Sequence, residues 1–296
     1  MELRFESLTI FEFQKRFPDE KACMEYLCKL KWSKGFICPQ CGHTNSCKGK
    51  REYDLQCTRC NYIESPTSGT LFHKIKFPVL KAFYMIYYIS TNKKGISSTE
   101  LSRKLGQRQK TCWLFKQKVM KAMKSSGKYK ITEKAEVDES VVGGQEDGAV
   151  GRKNIKKKLV VFAIEKQNKG VSRFYGKVIE HSSAKELGNF MKSTISLEAK
   201  VKTDEWSGYT PLKKEFINLK QVPSGKKGEN FPELHRVIMG FKGWLRGIHH
   251  RVKHLQAYID EYTYRYNRNK MKGNIFDNLL QRMMDADPCP YKLIIA

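Results

Sequence analysis

Two scarcities in this 296-residue sequence each remove a class of function. Acidic residues are few: 30 Asp and Glu stand against 56 Lys and Arg, a formal charge of +26. A surplus of that size needs an anionic partner, and nucleic acid leads the possibilities. Apolar runs of membrane-spanning length are missing too, and Met1 is followed by Glu2, Arg4 and Glu6 rather than by a leader peptide. The expectation is a cytoplasmic, nucleoid-associated chain with no membrane segment. In a reducing compartment nine cysteines do not make a disulfide scaffold, so clustered ones read as metal ligands and scattered ones as core. The length, with 40% apolar residues, predicts more than one globular unit.

The clustered cysteines are Cys38-Pro39-Gln40-Cys41 and Cys57-Thr58-Arg59-Cys60, with fifteen residues between the pairs. Each pair offers two thiolates from one turn, and two turns close a tetrahedral zinc site of the ribbon type. Four thiolates leave no open position, so this zinc is structural. His43 and Cys47 fall between the pairs and are not expected to bind it. Ahead of the ribbon, residues 1–35 read as a helical lead-in: Phe13, Phe17, Cys23 and Leu27 recur at mostly helical spacing, and Pro18-Asp19 marks a helix start. Cys23 and Cys28 are expected in the core.

From Pro78 a helical stripe of Leu80, Phe83, Ile86, Tyr87 and Ile89 begins. Ile96–Gly106 then gives a capped short helix and a Gly turn, followed by a second helix through Gln107–Met123, which is a helix-turn-helix pattern. Between Lys93 and Lys130 there are twelve Lys and Arg and one acid, Glu100. Gln107, Arg108, Gln109 and Lys110 would face DNA. A helical hairpin with a solvated basic face explains the pattern less well than DNA binding does, because the charge is one-sided.

After Lys134 the period changes to that of strands: 136–142, Lys158–Glu165 and Val171–Ile179, then a helix over Ser183–Ile195, then a strand running into Asp204. Three strands, a helix and a fourth strand, with Asp138 on the first and Asp204 at the end of the fourth, is the order of a ribonuclease-H-like core. Two carboxylates on neighbouring strand ends suit Mg²⁺ or Mn²⁺. Glu139 and Glu205 are expected on opposite strand faces or in loops rather than as metal ligands, and Trp206 and Tyr209 in the core. Gly148–Lys158, with five basic residues, reads as a mobile arm. A long helix follows Asn230, with Leu234, Val237, Ile238, Phe241, Leu245 and Ile248 as its buried stripe. His235, Lys242, Arg246 and His249 share one flank of it, and Glu233 and Trp244 the other.

Taken in order, the cysteine pairs, the helix-turn-helix, "VDESVVGG", "TDEWSGY", "LRGIHHRV" and "AYIDEYTYRYNRN" resemble the DDE transposases of bacterial insertion sequences, specifically the ISXO-like group, over residues 20–270. The resemblance implies two divalent metals, DNA cleavage and strand joining without a covalent protein intermediate, recognition of terminal inverted repeats, and at least a homodimer. By position, Asp138 matches the first catalytic acid and Asp204 the second. The family's third residue, a Glu or Asn shortly before a Lys, has no clean counterpart. Counting back from Lys242 reaches His235, which is preferred. Glu233 has the carboxylate but sits in Asn230-Phe231-Pro232-Glu233, a capping-box pattern. Lys242 and Arg246 are candidate phosphate clamps.

The architecture expected is therefore α/β: a helical lead-in and zinc ribbon (1–72), a helix-turn-helix region (73–131), a ribonuclease-H-like catalytic domain (132–272) and a C-terminal tail (273–296). A DNA-binding regulator would leave the paired Asp residues without a reason, and a nuclease that cuts without joining would share them.

Overall fold

The computed structural model describes residues 8–124, 127, 129–143, 157–167, 170–248 and 254–295. The basic arm expected between Gly148 and Lys158, apart from its last two residues, lies outside them, as does His249. The chain forms two compact units, one of Met1–Met123 with Met271–Ala296 and one of Lys124–Lys270.

The first unit opens with α1 (Ile10–Arg16), capped by a Thr9–Glu12 capping box, and α2 (Glu20–Lys31), whose first turn is capped by the Asp19 carboxylate. The ribbon follows as a three-stranded antiparallel sheet, β1 (Ser46–Lys48), β2 (Leu55–Cys57) and β3 (Ile63–Glu64). Its two cysteine turns have one geometry. Gly42 N–H donates to Cys38 O with φ +72°, and Asn61 N–H donates to Cys57 O with φ +60°. Both positions need the left-handed region, which Gly adopts freely and Asn better than most residues.

Helices α3 (Val79–Thr91), α4 (Ser98–Leu105) and α5 (Gln109–Met123) complete the sequential part of this unit. Ser97 Oγ accepts from Glu100 N–H at 3.0 Å to start α4, and Gly106 ends it. The C-terminal residues, which carry little sequence pattern, return here, after the second unit and its three helices, as α9 (Ile275–Asp285) and α10 (Tyr291–Ile295). Phe276 joins an aromatic core with Phe13, Phe17 and Phe83, at ring separations of 5.6, 5.8 and 6.2 Å. Arg16 grips Asp277 through two bonds of 2.9 and 2.7 Å. Burying four such rings contributes about 1.5–3 kcal/mol each, so the tail is a structural element of this unit.

The second unit is built on a five-stranded sheet in the order β6-β5-β4-β7-β8. Its strands are β4 (Lys134–Val142), β5 (Lys158–Gln167), β6 (Gly170–Ile179), β7 (Lys200–Thr203) and β8 (Leu219–Gln221). β4 pairs antiparallel with β5 and β5 with β6, whereas β4–β7 and β7–β8 are parallel. This is the ribonuclease-H-like arrangement. The apolar run of β5, buried from Val160 through Ile164, requires cover on both faces of the sheet. One face is covered by α6 (Ala184–Thr194) and a 3-10 helix at Ser207–Lys214, through Leu187, Phe190, Met191, Tyr209 and Leu212. On the other, Phe162 and Phe174 meet Phe241 of α7 (Pro232–Ile248) at 5.8 and 6.4 Å, and Tyr262 of α8 (Leu255–Asn267) meets Phe174 and Phe241 at 5.5 and 5.3 Å.

Candidate active site

The acidic site follows from strand register. The parallel β4–β7 ladder ends with Val137 opposite Thr203, so the next residues, Asp138 and Asp204, stand side by side where β7 ends and β4 runs on against β5 alone. Adjacent strands lie about 4.8 Å apart, and carboxylate oxygens of Asp138, Glu139 and Asp204 all lie within 4.8 Å of one another. Asp138 Oδ accepts from the Glu139 N–H at 2.7 Å, and Asp204 Oδ1 accepts from the Trp206 N–H at 3.1 Å. Gln221 on β8 donates to both Asp204 O and Trp206 O, pinning the turn that carries Asp204.

Glu139 lies in the acidic cluster even though strand alternation sets it on the face opposite Asp138. Beyond Val137, β4 keeps β5 on one side and has lost β7 on the other. At that open edge a residue from either face reaches the same space, and Glu139 turns into the acidic cluster, whereas Glu205 is exposed and outside it. Tyr209 is fully buried below. Burial pushes its phenol well above the ordinary range, and the charges of Glu139, Asp204 and Asp138 add to this. Trp206 is not in the core as expected: it is 38% exposed, with Nε1 donating to Ser182 O at 2.8 Å.

Residues Glu136, Asp138 and Ser140, alternating along β4, meet α7. His235 Nε2 lies 3.5 Å from Asp138 Oδ2, and Lys242 Nζ donates to Ser140 Oγ at 2.7 Å. Burial lowers the Lys242 pKa, the charges of Lys157 and Arg246 lower it further, and Asp138 opposes them. Glu233 does not close a capping box. The Asn230 N–H goes to Ser224 O, and the Glu233 carboxylate sits 2.9 Å from Lys166 Nζ, which also holds the buried Glu136 at 3.1 Å. His235 thus stands at the acidic cluster and Glu233 is tied to a separate ion-pair chain. The roles of Glu136, Ser140, Lys157 and Lys166 escaped sequence inspection. Period-2 alternation from Asp138 picks out Glu136 and Ser140, but nothing local marks the two lysines.

The ribbon cysteines also converge. Cys38 Sγ lies 3.5 Å from Cys60 Sγ and Cys41 Sγ 3.7 Å from Cys57 Sγ, and all four lie within 4.8 Å of one another. Tetrahedral zinc with Zn–S bonds of about 2.3 Å separates sulfurs by about 3.8 Å, so the thiols fit zinc. Likewise, three carboxylates in one cluster fit a hard divalent cation. His43 instead contacts Thr58 Oγ1, and Cys47 is exposed. In the helix-turn-helix, Arg108, Gln109 and Lys110 are exposed and Gln107 is half-buried; Gln109 Nε2 donates to Ser98 Oγ at 2.7 Å. Among the described residues no helix is long and apolar enough to cross a membrane.

Known proteins resemble the chain in two ways. Residues 18–63 match the transposase zinc-ribbon domain, and residues 130–267 match the ISXO2-like transposase domain. No curated protein matches in sequence. Among solved structures, the chain is similar to a Mos1 transposase paired-end complex with left transposon end, at 14% identity over 68% of this chain and 78% of that one, with a TM-score of 0.28. It is also similar to a pre-cleavage Mos1 transpososome, at 12% identity over 69% and 78%, with a TM-score of 0.26. Those scores are too low to carry weight. The two domain matches fall in the order of the chain's own cysteine and acidic motifs: the chain carries a transposase zinc-ribbon domain followed by an ISXO2-like transposase domain.

Proposed function

We propose that this transposase binds the terminal inverted repeats of its insertion sequence and cuts and joins DNA at the Asp138–Asp204 site, using Mg²⁺ or Mn²⁺. The observation that carries the proposal is the register that ends at Val137 and Thr203, which sets two carboxylates side by side with a third, Glu139, beside them. Asp138 and Asp204, with Glu139, would hold the divalent cations, which when bound supply an activated water and neutralise charge on the leaving 3′ oxygen.

The protein's own groups do the positioning. Lys242, pinned by Ser140 and crowded by Lys157 and Arg246, meets a phosphate whose charge relieves that repulsion. His235, next to Asp138, orients either the attacking oxygen or the Asp138 carboxylate. Glu233, tied to Lys166, holds α7 against β5. Arg108, Gln109 and Lys110 contact DNA, with Gln107 behind them, and the zinc held by Cys38, Cys41, Cys57 and Cys60 is structural. In this reading residues 1–131 recognise the ends, residues 132–272 perform the chemistry, and at least a homodimer pairs two ends.

The test is joining of a precut terminal-repeat duplex, with a free 3′-OH, into plasmid DNA. Wild type should join with Mg²⁺ or Mn²⁺. Asp138→Asn and Asp204→Asn should abolish joining, Glu139→Gln and His235→Ala should reduce it at least tenfold, and Glu233→Gln should leave it within a few-fold. Cutting without joining would leave a nuclease, and repeat binding without either step would leave a regulator; either result overturns the proposal.

A further inference from the structure

The first unit contains a second site, on the edge of the helix-turn-helix. A cleft of about 900 Å³ opens where the loop 73–77, the approach to α5 and the C-terminal segment 288–294 meet. Small-molecule sites run from about 300 to 1,000 Å³, so it has room for a nucleotide. His73, Lys74, Lys76, Arg108 and Lys118 line it, and among the described residues no Asp or Glu does. Between these cations run apolar walls that include Phe77, Phe115 and Tyr291. Phe77 stands edge-on to Phe115, at 5.4 Å and 90°, and Lys110 Nζ lies 5.6 Å from the Tyr291 ring centroid.

Among the described residues no carboxylate lines this cleft to answer its positive charge. Lys118 is half-buried and donates to the Leu71 carbonyl at 3.3 Å rather than to a carboxylate. Burial lowers its pKa. The His73 pKa is lowered by burial and then by the charges of Lys74, Lys118 and Lys31. Lys74 is held at φ +52°, a left-handed conformation that non-glycine residues rarely adopt and that gathers at ligand sites. A purely apolar occupant would leave these cations unanswered, and an inorganic anion would leave the aromatic walls unused.

We infer that the cleft binds a nucleoside phosphate, its base against the aromatic wall and its phosphate among His73, Lys74, Arg108 and Lys118. Cation-lined surfaces with aromatic faces hold unpaired nucleotides in this way. Two sources share the chemistry: an unpaired nucleotide at a DNA end bound by the helix-turn-helix, and a free nucleotide. The DNA source rests on the proposed DNA-binding role of α4 and α5; the free-nucleotide source does not.

The test uses the full zinc-loaded chain in equilibrium binding to a blunt duplex, the same duplex with a three-nucleotide single-stranded overhang, dAMP, ATP and a poly-glutamate peptide. The overhang should bind about tenfold tighter than the blunt duplex, as one stacked base provides. Tyr291→Ala and Lys118→Met should remove that preference while leaving blunt-duplex affinity unchanged. Tyr291 is 46% exposed, so its variant keeps the fold, and melting curves check the Lys118 variant. Saturable competition by dAMP or ATP, lost in the same variants, would support the cleft and name free nucleotide as the source. Equal binding of blunt and overhang duplexes with no nucleotide binding would overturn the inference, as would tighter binding of the acidic peptide. If Gln109→Ala/Lys110→Ala leaves blunt-duplex affinity unchanged, the helix-turn-helix reading fails, and the cleft is still judged by dAMP and ATP binding.

Discussion

Replacing Lys166 by Met should destabilise the catalytic sheet and then be largely rescued by a second replacement. Lys166 on β5 lies 3.1 Å from Glu136 and 2.9 Å from Glu233. Its own side chain is 33% exposed, Glu233 is 27% exposed, and Glu136 is only 3% exposed. Truncating one partner of a fully buried pair costs about 3–5 kcal/mol because a charge is left stranded. Here the stranded charge is Glu136, and solvent reaching the lysine end reduces the cost to about 2–3 kcal/mol. Glu233, nearer water, should add less than about 1 kcal/mol when changed to Gln. Changing Glu136 to Met in the Lys166→Met background removes the stranded carboxylate, and the double variant should recover about 1–2 kcal/mol, since apolar groups of similar size often replace a buried pair at little cost. Native-state hydrogen exchange of the β4 and β5 amides reads this unit without requiring the whole chain to unfold in one step. Exchange free energies within 0.5 kcal/mol of wild type in Lys166→Met, an interval of about the size of additivity error, would refute the argument. So would a double variant no more stable than the single one.

Three further outcomes follow. Gly228 has φ +74°, and a Cβ there would overlap the His235 ring; Gly228→Ala should cost at least about 1 kcal/mol for the left-handed residue and lower joining as far as His235→Ala does, measured by melting and strand transfer. Burial raises the Asp260 carboxyl to about 6, against a hydrogen bond from Gln256 and the charge of Lys124. An unfolded chain ionises near 3.9, so stability should fall as pH rises from about 4 through 6 and then level. Asp260→Asn should remove that fall, a gain of about 1–2 kcal/mol at pH 7 after allowance for partial exposure and none near pH 4, read from melting against pH. The chain should carry one tightly held zinc, by elemental analysis; because structural zinc binding is worth about 10–16 kcal/mol, Cys57→Ser or strong chelation should abolish exchange protection in β1–β3 and leave that of β4–β8 unchanged.

What was legible in the sequence is what local chemistry fixes. The cysteine pairs needed only spacing. Ser97 and Gly106 bound α4 as cap and stop residues do, and Ser183 caps α6 through the Glu186 N–H. The apolar run of β5 announced a strand. The place of the C-terminal residues was illegible because Phe276 and Asp277 find their partners at Phe13 and Arg16, some 260 positions away, and no window along the chain contains both. Lys166 and Lys157 were illegible for the same reason: a lysine is an ordinary surface residue until the fold sets Glu136 or Lys242 beside it.

The third acidic position shows how a correct rule misleads at a strand end. Alternation puts Asp138 and Glu139 on opposite faces, and along Lys134–Val137, where β4 has neighbours on both sides, the rule holds: Ala135 and Val137 face the α6 core, and Glu136 faces Lys166. The rule depends on those neighbours. Once β7 stops at Thr203 the alternation continues, with Asp138 and Ser140 meeting α7 and Glu139 beside Tyr209, but no strand separates the two faces any longer, and both carboxylates come within reach of Asp204. Alternation therefore still assigns the faces at a strand end but no longer keeps residues of opposite faces apart, which is where a site made from strand ends must lie. The family motif puts its third residue on the helix; here a third carboxylate, Glu139, lies on β4 itself, and His235 of α7 stands 3.5 Å from Asp138.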